Sequence, residues 1–349
     1  MSTPPTVPQV GTLPPGKRGA ITDVQGVKVG HCTLASGPCQ TGVTVILPHG
    51  GNWFQDKMPA AVTILNGFGK SVGLVQVQEL GVLETPIALT NTFSVGAVAQ
   101  AQIRQAIAAN PAIGRGEPTL NPLVLECNDG YLNDIQAMEV AEQHYRAASE
   151  AASSQVDQGA VGAGRGMSCF GFKGGIGTSS RTTRLADGRA FTVGLLVLAN
   201  FGVPGMLTVA GRPLDLRPPE TLSGSGAECP SEKGSIIMVM ATDAPLDARQ
   251  LRRLSLRAGA GLARTGSFFG HGSGDISLAF STACTIPQTA DRPMPALAVL
   301  HETLLDPLFR AAAESTEQAI LNALWHAETV VGREGHCRHG LRALLQSKS

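Results

Sequence analysis

The chain has 349 residues, 27 basic and 27 acidic, so its formal net charge is zero. Apolar residues make up 43% and charged ones 15%, a balance that favours a buried core over disorder, and nothing in the charge totals suggests a surface for nucleic acid or an anionic membrane. The length suits one large domain or two small ones.

Met1 to Gly19 is rich in proline and threonine and has no apolar core, which argues against a secretory signal. Residues 1–16 are expected to form a flexible lead, with a single catalytic domain over 17–349. From Ile21 onward the pattern is short strands, tight turns and a few longer helices. Val43–Leu47 and Ala61–Leu65 read as strands, and 94–109 as a helix stopped by Asn110-Pro111. Leu123–Glu126 reads as a buried strand, followed by a helix over 134–151 capped by Asn133 or Asp134. Val156–Gly177 is glycine-rich loop and strand. Phe191–Leu198 and Ile236–Ala241 are apolar, β-branched strands, separated in part by a proline-, glycine- and serine-rich surface loop over 212–233. Residues 248–264 read as one helix and 304–329 as a long helix or a broken pair. Gly335–Ser349 reads as a basic, helical surface tail. Strands and helices mix without strict alternation, which indicates an α+β class. No run of 18 apolar residues occurs, so no membrane span is expected. Seven cysteines follow no disulfide or zinc spacing and point to free thiols in a reducing, cytoplasmic compartment.

The most informative segment is Thr265–Ile276, which places Ser273 between Gly272 and Gly274. A strand follows at once: Ile276, Leu278 and Phe280 alternate with Asp275, Ser277 and Ala279. If the Gly272–Ser273 bond breaks, Ser273 carries a free α-amine beside its hydroxyl. Such an amine titrates at about 7.7–8.0, close to where a general base works best. A serine hydroxyl needs a base of that kind. The bland alternative is a turn serine, since Gly-Ser-Gly is common in loops.

The segments Gly261–Ser267, His271–Ile276 and Ala279–Thr282 resemble the L-aminopeptidase/D-Ala-esterase family, self-cleaving serine hydrolases related to N-terminal-nucleophile enzymes. Further matches occur in order at Glu126–Asp134, Gly171–Arg181, Ala199–Gly202, Ala241–Pro245 and Glu314–Ala323, so the resemblance covers roughly residues 17–335. It implies a four-layer αββα sandwich, a cut into residues 1–272 and 273–349 that stay associated, and Ser273 as nucleophile. By the same resemblance Asn200 donates to an oxyanion, Ser315 and Glu317 orient the nucleophile, and Tyr131 lies at the active site. A homotetramer, no cofactor, no metal, and small peptide, amide or ester substrates are also implied.

Each residue has a structural alternative. Ser315 with Gln318 reads as a capping box. Asn200 reads as a strand-ending turn residue and Tyr131 as an amphipathic surface residue. Glu126, Asp129 and Asp134 are open candidates for binding a substrate ammonium. His271 is a replaceable aid to self-cleavage. Gly162–Gly166 lacks the third glycine of a dinucleotide loop, and Lys173 is not followed by the Ser or Thr of a P-loop. His336–His339 has no second ligand cluster. The rival readings are an acyltransferase of the ornithine acetyltransferase type, whose nucleophile is threonine, and a non-cleaving binding protein of the same fold.

Overall fold

The computed structural model describes residues 6–219, 233–291 and 293–347. Two sheets carry the architecture. The smaller has four strands in the order Lys28–Ser36, Cys39–Leu47, Ile87–Asn91, Leu123–Cys127. The larger has seven, running Ile286–Pro287, Asp56–Gly67, Gly272–Ser281, Lys233–Thr242, Ala190–Asn200, Gly175–Arg184, with Val82–Leu83 pairing Asp56–Gly67. Within the larger sheet Lys233–Thr242 and Gly272–Ser281 run parallel, and the neighbouring pairs are antiparallel.

Strand alternation builds four layers from these two sheets. Along Ala190–Asn200, Leu196 and Leu198 pack toward Ile46, Leu89 and Leu125 of the smaller sheet. Val193, Leu195 and Val197 face the opposite way, into a core shared with Leu308, Ile320 and Leu324 of the Asp306–His326 helix. The outer face of the smaller sheet, Val43, Val45 and Val124, is covered by Val98 of the Val95–Ala109 helix and Ala148 of the Glu142–Glu150 helix. The order is helix, sheet, sheet, helix, the αββα sandwich that the family resemblance implied. The strands read from the sequence are present and longer: Ala61–Leu65 extends to Asp56–Gly67, and Ile236–Ala241 to Lys233–Thr242.

Three expectations need correction. The helix over 134–151 is only Glu142–Glu150. Asn133 accepts from Gln40 N at 3.0 Å and donates to Asp129 at 3.1 Å, so it does not cap, and Met138 takes a left-handed φ of 49° that breaks the chain direction. The helix over 248–264 is two pieces, Ala248–Ser255 and Ala258–Ala263, the first capped by Asp247, which accepts from Gln250 N at 2.7 Å. The lead is anchored from Pro8 onward: Gln318 Nε2 donates to Pro8 O and its Oε1 accepts from Val10 N, and Glu314 Oε2 accepts from Thr12 N and Leu13 N. Buried backbone donors need partners, and acceptors far along the chain supply them. Of the surface loop expected over 212–233, residues 220–232 lie outside the described residues.

Candidate active site

Ser273 heads a central strand of the larger sheet, flanked by Gly234 on one side and, through the following residues, by Asn66 and Gly67 on the other. It is fully buried. Its hydroxyl donates to Asp275 Oδ1 at 2.7 Å, and its amide donates to Gly270 O at 2.9 Å. Residues two apart in a strand share a face, so the Ser-Gly-Asp spacing itself creates this contact. Ile276, Leu278 and Phe280 belong to the core between the sheets and Ala279 to the helix-side core. By alternation Ser273 and Asp275 lie with Ala279.

The backbone around Ser273 is tightly held. Asn66 Nδ2 donates to the carbonyls of Gly270, His271 and Ser273, and Phe68 N donates to Ser273 O at 3.3 Å. The register shifts here, with Asp275 opposite Asn66 and Ile276 opposite Ile64. Such bulges re-aim side chains and are common beside active sites. Gly234, opposite Ser273, has φ of 140°, and a Cβ there would meet Asn200 O at 2.1 Å. Only glycine lets the Asn200 backbone approach this closely.

A cavity of about 600 Å³ opens here, with Gly272, Gly234, Ser235, Asn200, Tyr131 and Glu126 in its lining. Gly272 lines it, and Ser273 follows in the chain, fully buried. Asn200 is fixed at both ends of its amide: Oδ1 accepts from Ser168 N at 2.8 Å, and Nδ2 donates to Asn128 O at 2.9 Å. An amide nitrogen carries two protons, so this bond leaves a second donor at the wall. Glu126 is one of the three carboxylates the sequence leaves open. It is buried, accepting from Lys70 N at 2.8 Å and from the Thr92 hydroxyl, and it lines the cavity.

The other two candidate carboxylates lie elsewhere. Asp134 is not in the lining. Asp129 is buried against Asn133, and burial pushes its pKa up to about 6. Tyr131 is at the cavity, its ring stacked on His336 at 4.7 Å and 12°, with the Arg338 guanidinium 3.5 Å from the ring centroid.

Ser315 and Glu317 are not brought to Ser273. They sit inside the 21-residue helix Asp306–His326, which also removes the capping-box reading, since no helix begins there. Ser315 Oγ donates to Val193 O at 3.3 Å, and Glu317 faces Arg264 at 3.5 Å. Val193 pairs with Thr242, whereas Ser273 pairs with Gly234. At roughly 3.3 Å per strand residue, that separation is on the order of 26 Å. His271 is exposed, its ring 6.2 Å from Phe68, and the Ser273 hydroxyl bonds Asp275 instead.

Two residues escaped the sequence reading. Asp275 was legible as the residue two beyond Ser273. The sequence places Arg338 in a basic surface tail, but Cys337–Arg338 forms a strand with Val330–Val331, and Arg338 lines the cavity. No local signal marked it, because the pairing brings it there. Lys173 is buried, donating to the carbonyls of Gly164, Met167 and Gly174, so it braces the glycine-rich segment. Among the described residues no group of three His, Cys, Asp or Glu is placed to hold a metal, and no helix is long and apolar enough to cross a membrane.

The family model of peptidase family S58 matches residues 19–338. A β-peptidyl aminopeptidase of Sphingosinicella microcystinivorans is 40% identical, the match covering 92% of this chain and 85% of that one. The structure of the PH0078 protein from Pyrococcus horikoshii OT3 superposes with a TM-score of 0.89 at 46% identity, over 97% of this chain and 96% of that one. The L-aminopeptidase D-Ala-esterase/amidase of Ochrobactrum anthropi, described as a new variant among the Ntn hydrolase fold, superposes with a TM-score of 0.87 at 34% identity, over 98% and 95%. A match through both sheets and the Ser273 strand, joined to that shared fold, places the chain in peptidase family S58 as a hydrolase with the architecture of N-terminal-nucleophile enzymes.

Proposed function

We propose that this chain is a self-processing serine aminopeptidase that cuts its own Gly272–Ser273 bond and then uses Ser273 as nucleophile. The observation that carries the reading is the placement of a buried serine, hydrogen-bonded to a carboxylate at 2.7 Å, directly after a glycine that lines the cavity. In the intact chain the Ser273 nitrogen is an amide and cannot act as a base. Asp275 takes the hydroxyl proton as Ser273 Oγ bonds to the Gly272 carbonyl carbon. The Gly272–Ser273 C–N bond then breaks, and the departing nitrogen receives the proton as the new α-amine. Water hydrolyses the remaining ester, leaving Gly272 with a carboxylate and Ser273 with both amine and hydroxyl.

In turnover the α-amine draws the proton from its own hydroxyl. Ser273 attacks the carbonyl of the substrate's first residue, the leaving amine departs, and water releases the acyl group. Cutting frees Ser273 to turn from the helix-side face toward the cavity, where Asn200 supplies an oxyanion donor. Glu126 holds the substrate ammonium and Tyr131 flanks the bound acyl group. The Sphingosinicella relative, a β-peptidyl aminopeptidase, makes short β-peptides the first substrates to test. We also read the enzyme as a cytoplasmic homotetramer of cleaved protomers working without a cofactor.

Intact mass and N-terminal sequencing of purified protein test this. The expected result is two chains, the second beginning Ser-Gly-Asp-Ile, and a single uncut chain in Ser273→Ala. One persistent 36.1 kDa species in the wild type, or a cut Ser273→Ala protein, overturns the reading.

A further inference from the structure

We propose that Arg338 forms a subsite for the C-terminal carboxylate of a short peptide, so that the enzyme selects free-acid dipeptides over their amides. The inference rests on the reading above, in which Glu126 holds the ammonium of the same molecule. Arg338 is held in place rather than loose: its guanidinium lies 3.5 Å from the Tyr131 ring centroid, Nε donates to Ser168 Oγ at 3.2 Å, and Nη1 donates to Cys337 O at 3.3 Å. Tyr131 is itself backed by His336, whose Nδ1 lies 2.8 Å from Tyr131 O. Neither side-chain hydrogen bond uses Nη2.

Among the described residues no carboxylate lies within 4 Å of Arg338. Arg165, Arg253 and Arg310, by contrast, each face one. A guanidinium held flat by an aromatic ring and lining a cavity is suited to a carboxylate, which it meets through a planar fork of N–H groups. The same cavity holds Glu126, a buried carboxylate whose oxygens each retain accepting capacity beyond their bonds to Lys70 N and Thr92. One cavity thus presents an anion and an uncompensated cation. The matching ligand is a zwitterion with its ammonium at Glu126 and its carboxylate at Arg338, which is a short unblocked peptide. Lys70 also lines the cavity, but its ammonium lies over the Phe68 ring at 4.2 Å and the residue is exposed, so it is less fixed.

Binding distinguishes this subsite from the catalytic reading. The probe is β-alanyl-alanine with its peptide bond reduced to CH2–NH, as free acid and as C-terminal carboxamide, titrated calorimetrically into purified wild-type enzyme. The acid is expected to bind about tenfold or more tightly than the carboxamide. Arg338→Gln should cost the acid about 10- to 100-fold and leave the carboxamide within about twofold, as loss of a charged hydrogen bond predicts. Arg338→Lys should keep part of the preference.

Equal binding of the two probes by wild type overturns the subsite without any variant, so a misfolded Arg338→Gln protein does not protect it. An equal loss for both probes in Arg338→Gln also overturns it, as does loss of the preference in Lys70→Ala alone. A carboxylate supplied by the cut end at Gly272 would give the first of these results. Selective binding of the acid by a protein that never hydrolyses peptides sinks the catalytic reading and leaves the subsite standing. Hydrolysis of acid and amide peptides at equal KM does the reverse.

Discussion

The chain carries two serine-x-acid pairs, and the structure treats them differently. Ser273 and Asp275 lie in a strand, where residues two apart share a face, and their side chains meet at 2.7 Å. Ser315 and Glu317 lie in a helix, where residues two apart do not face each other, and they find separate partners in Val193 O and Arg264. The same spacing that makes a hydrogen-bonded couple in one setting makes two independent structural contacts in the other. A motif of this kind acquires chemistry only from the period of the element that carries it.

The sharpest test of this contrast is Asp275→Asn. Removing the carboxylate that accepts the Ser273 hydroxyl hydrogen bond, the base of the proposed reaction, is expected to slow self-cleavage by about 10² to 10⁴-fold, the usual contribution of a positioned base. Timed intact-mass measurements read it, and cleavage at the wild-type rate removes Asp275 from the reaction. Asn200→Ala addresses the cavity wall. It is expected to lower kcat on cleaved enzyme by about 10² to 10³-fold with little change in KM; an unchanged kcat takes Asn200 out of the site.

A third prediction uses Asp129, the buried carboxylate close in sequence to the cavity residues Asn128 and Tyr131. Its pKa is raised from 3.8 to about 6 by burial, so folding favours the protonated acid. The neutral acid's advantage is fully present below about pH 4 and is lost as pH rises through about 6. Two pKa units correspond to a loss on the order of 3 kcal/mol. Asp129→Asn should therefore melt higher than wild type at pH 8 and close to it at pH 4, and thermal melts across that range decide. A gap that does not widen with pH disproves the assignment.

The smallest effect belongs to the helical pair. Ser315→Ala removes a 3.3 Å hydrogen bond to Val193 O and should cost about 1 kcal/mol of stability, with self-cleavage within about threefold of wild type. If Ser315→Ala instead matches Asp275→Asn in blocking cleavage, the contrast between strand and helix fails and the family expectation for Ser315 and Glu317 is restored.

The amino-acid sequence was a good guide wherever the physics is local. Alternation in Ile276, Leu278 and Phe280 announced the strand that carries Ser273, and the apolar runs at 191–198 and 236–241 announced its neighbours. Asn200 and Tyr131 were legible only through their motifs, and both reach the cavity. Capping patterns mislead at Asn133 and at Ser315, because a polar side chain that is able to cap serves a distant partner equally well. Glu126, Asp129 and Asp134 were indistinguishable as acids in one turn-rich stretch, and packing separated them: one lines the cavity, one is buried away from it, one does neither.

By itself, then, the sequence determined the α+β class, the strand that begins at Gly272 and the Ser-Gly-Asp spacing that makes Ser273 and Asp275 meet. These follow from the two-residue period of a strand and need no information from elsewhere in the chain. Only the tertiary structure decided that Arg338 joins Glu126 at one cavity and that Ser315 stays far from Ser273. Both depend on strand pairing and layer packing between segments that are distant in sequence, and nothing in the local spacing of those residues encodes that distance.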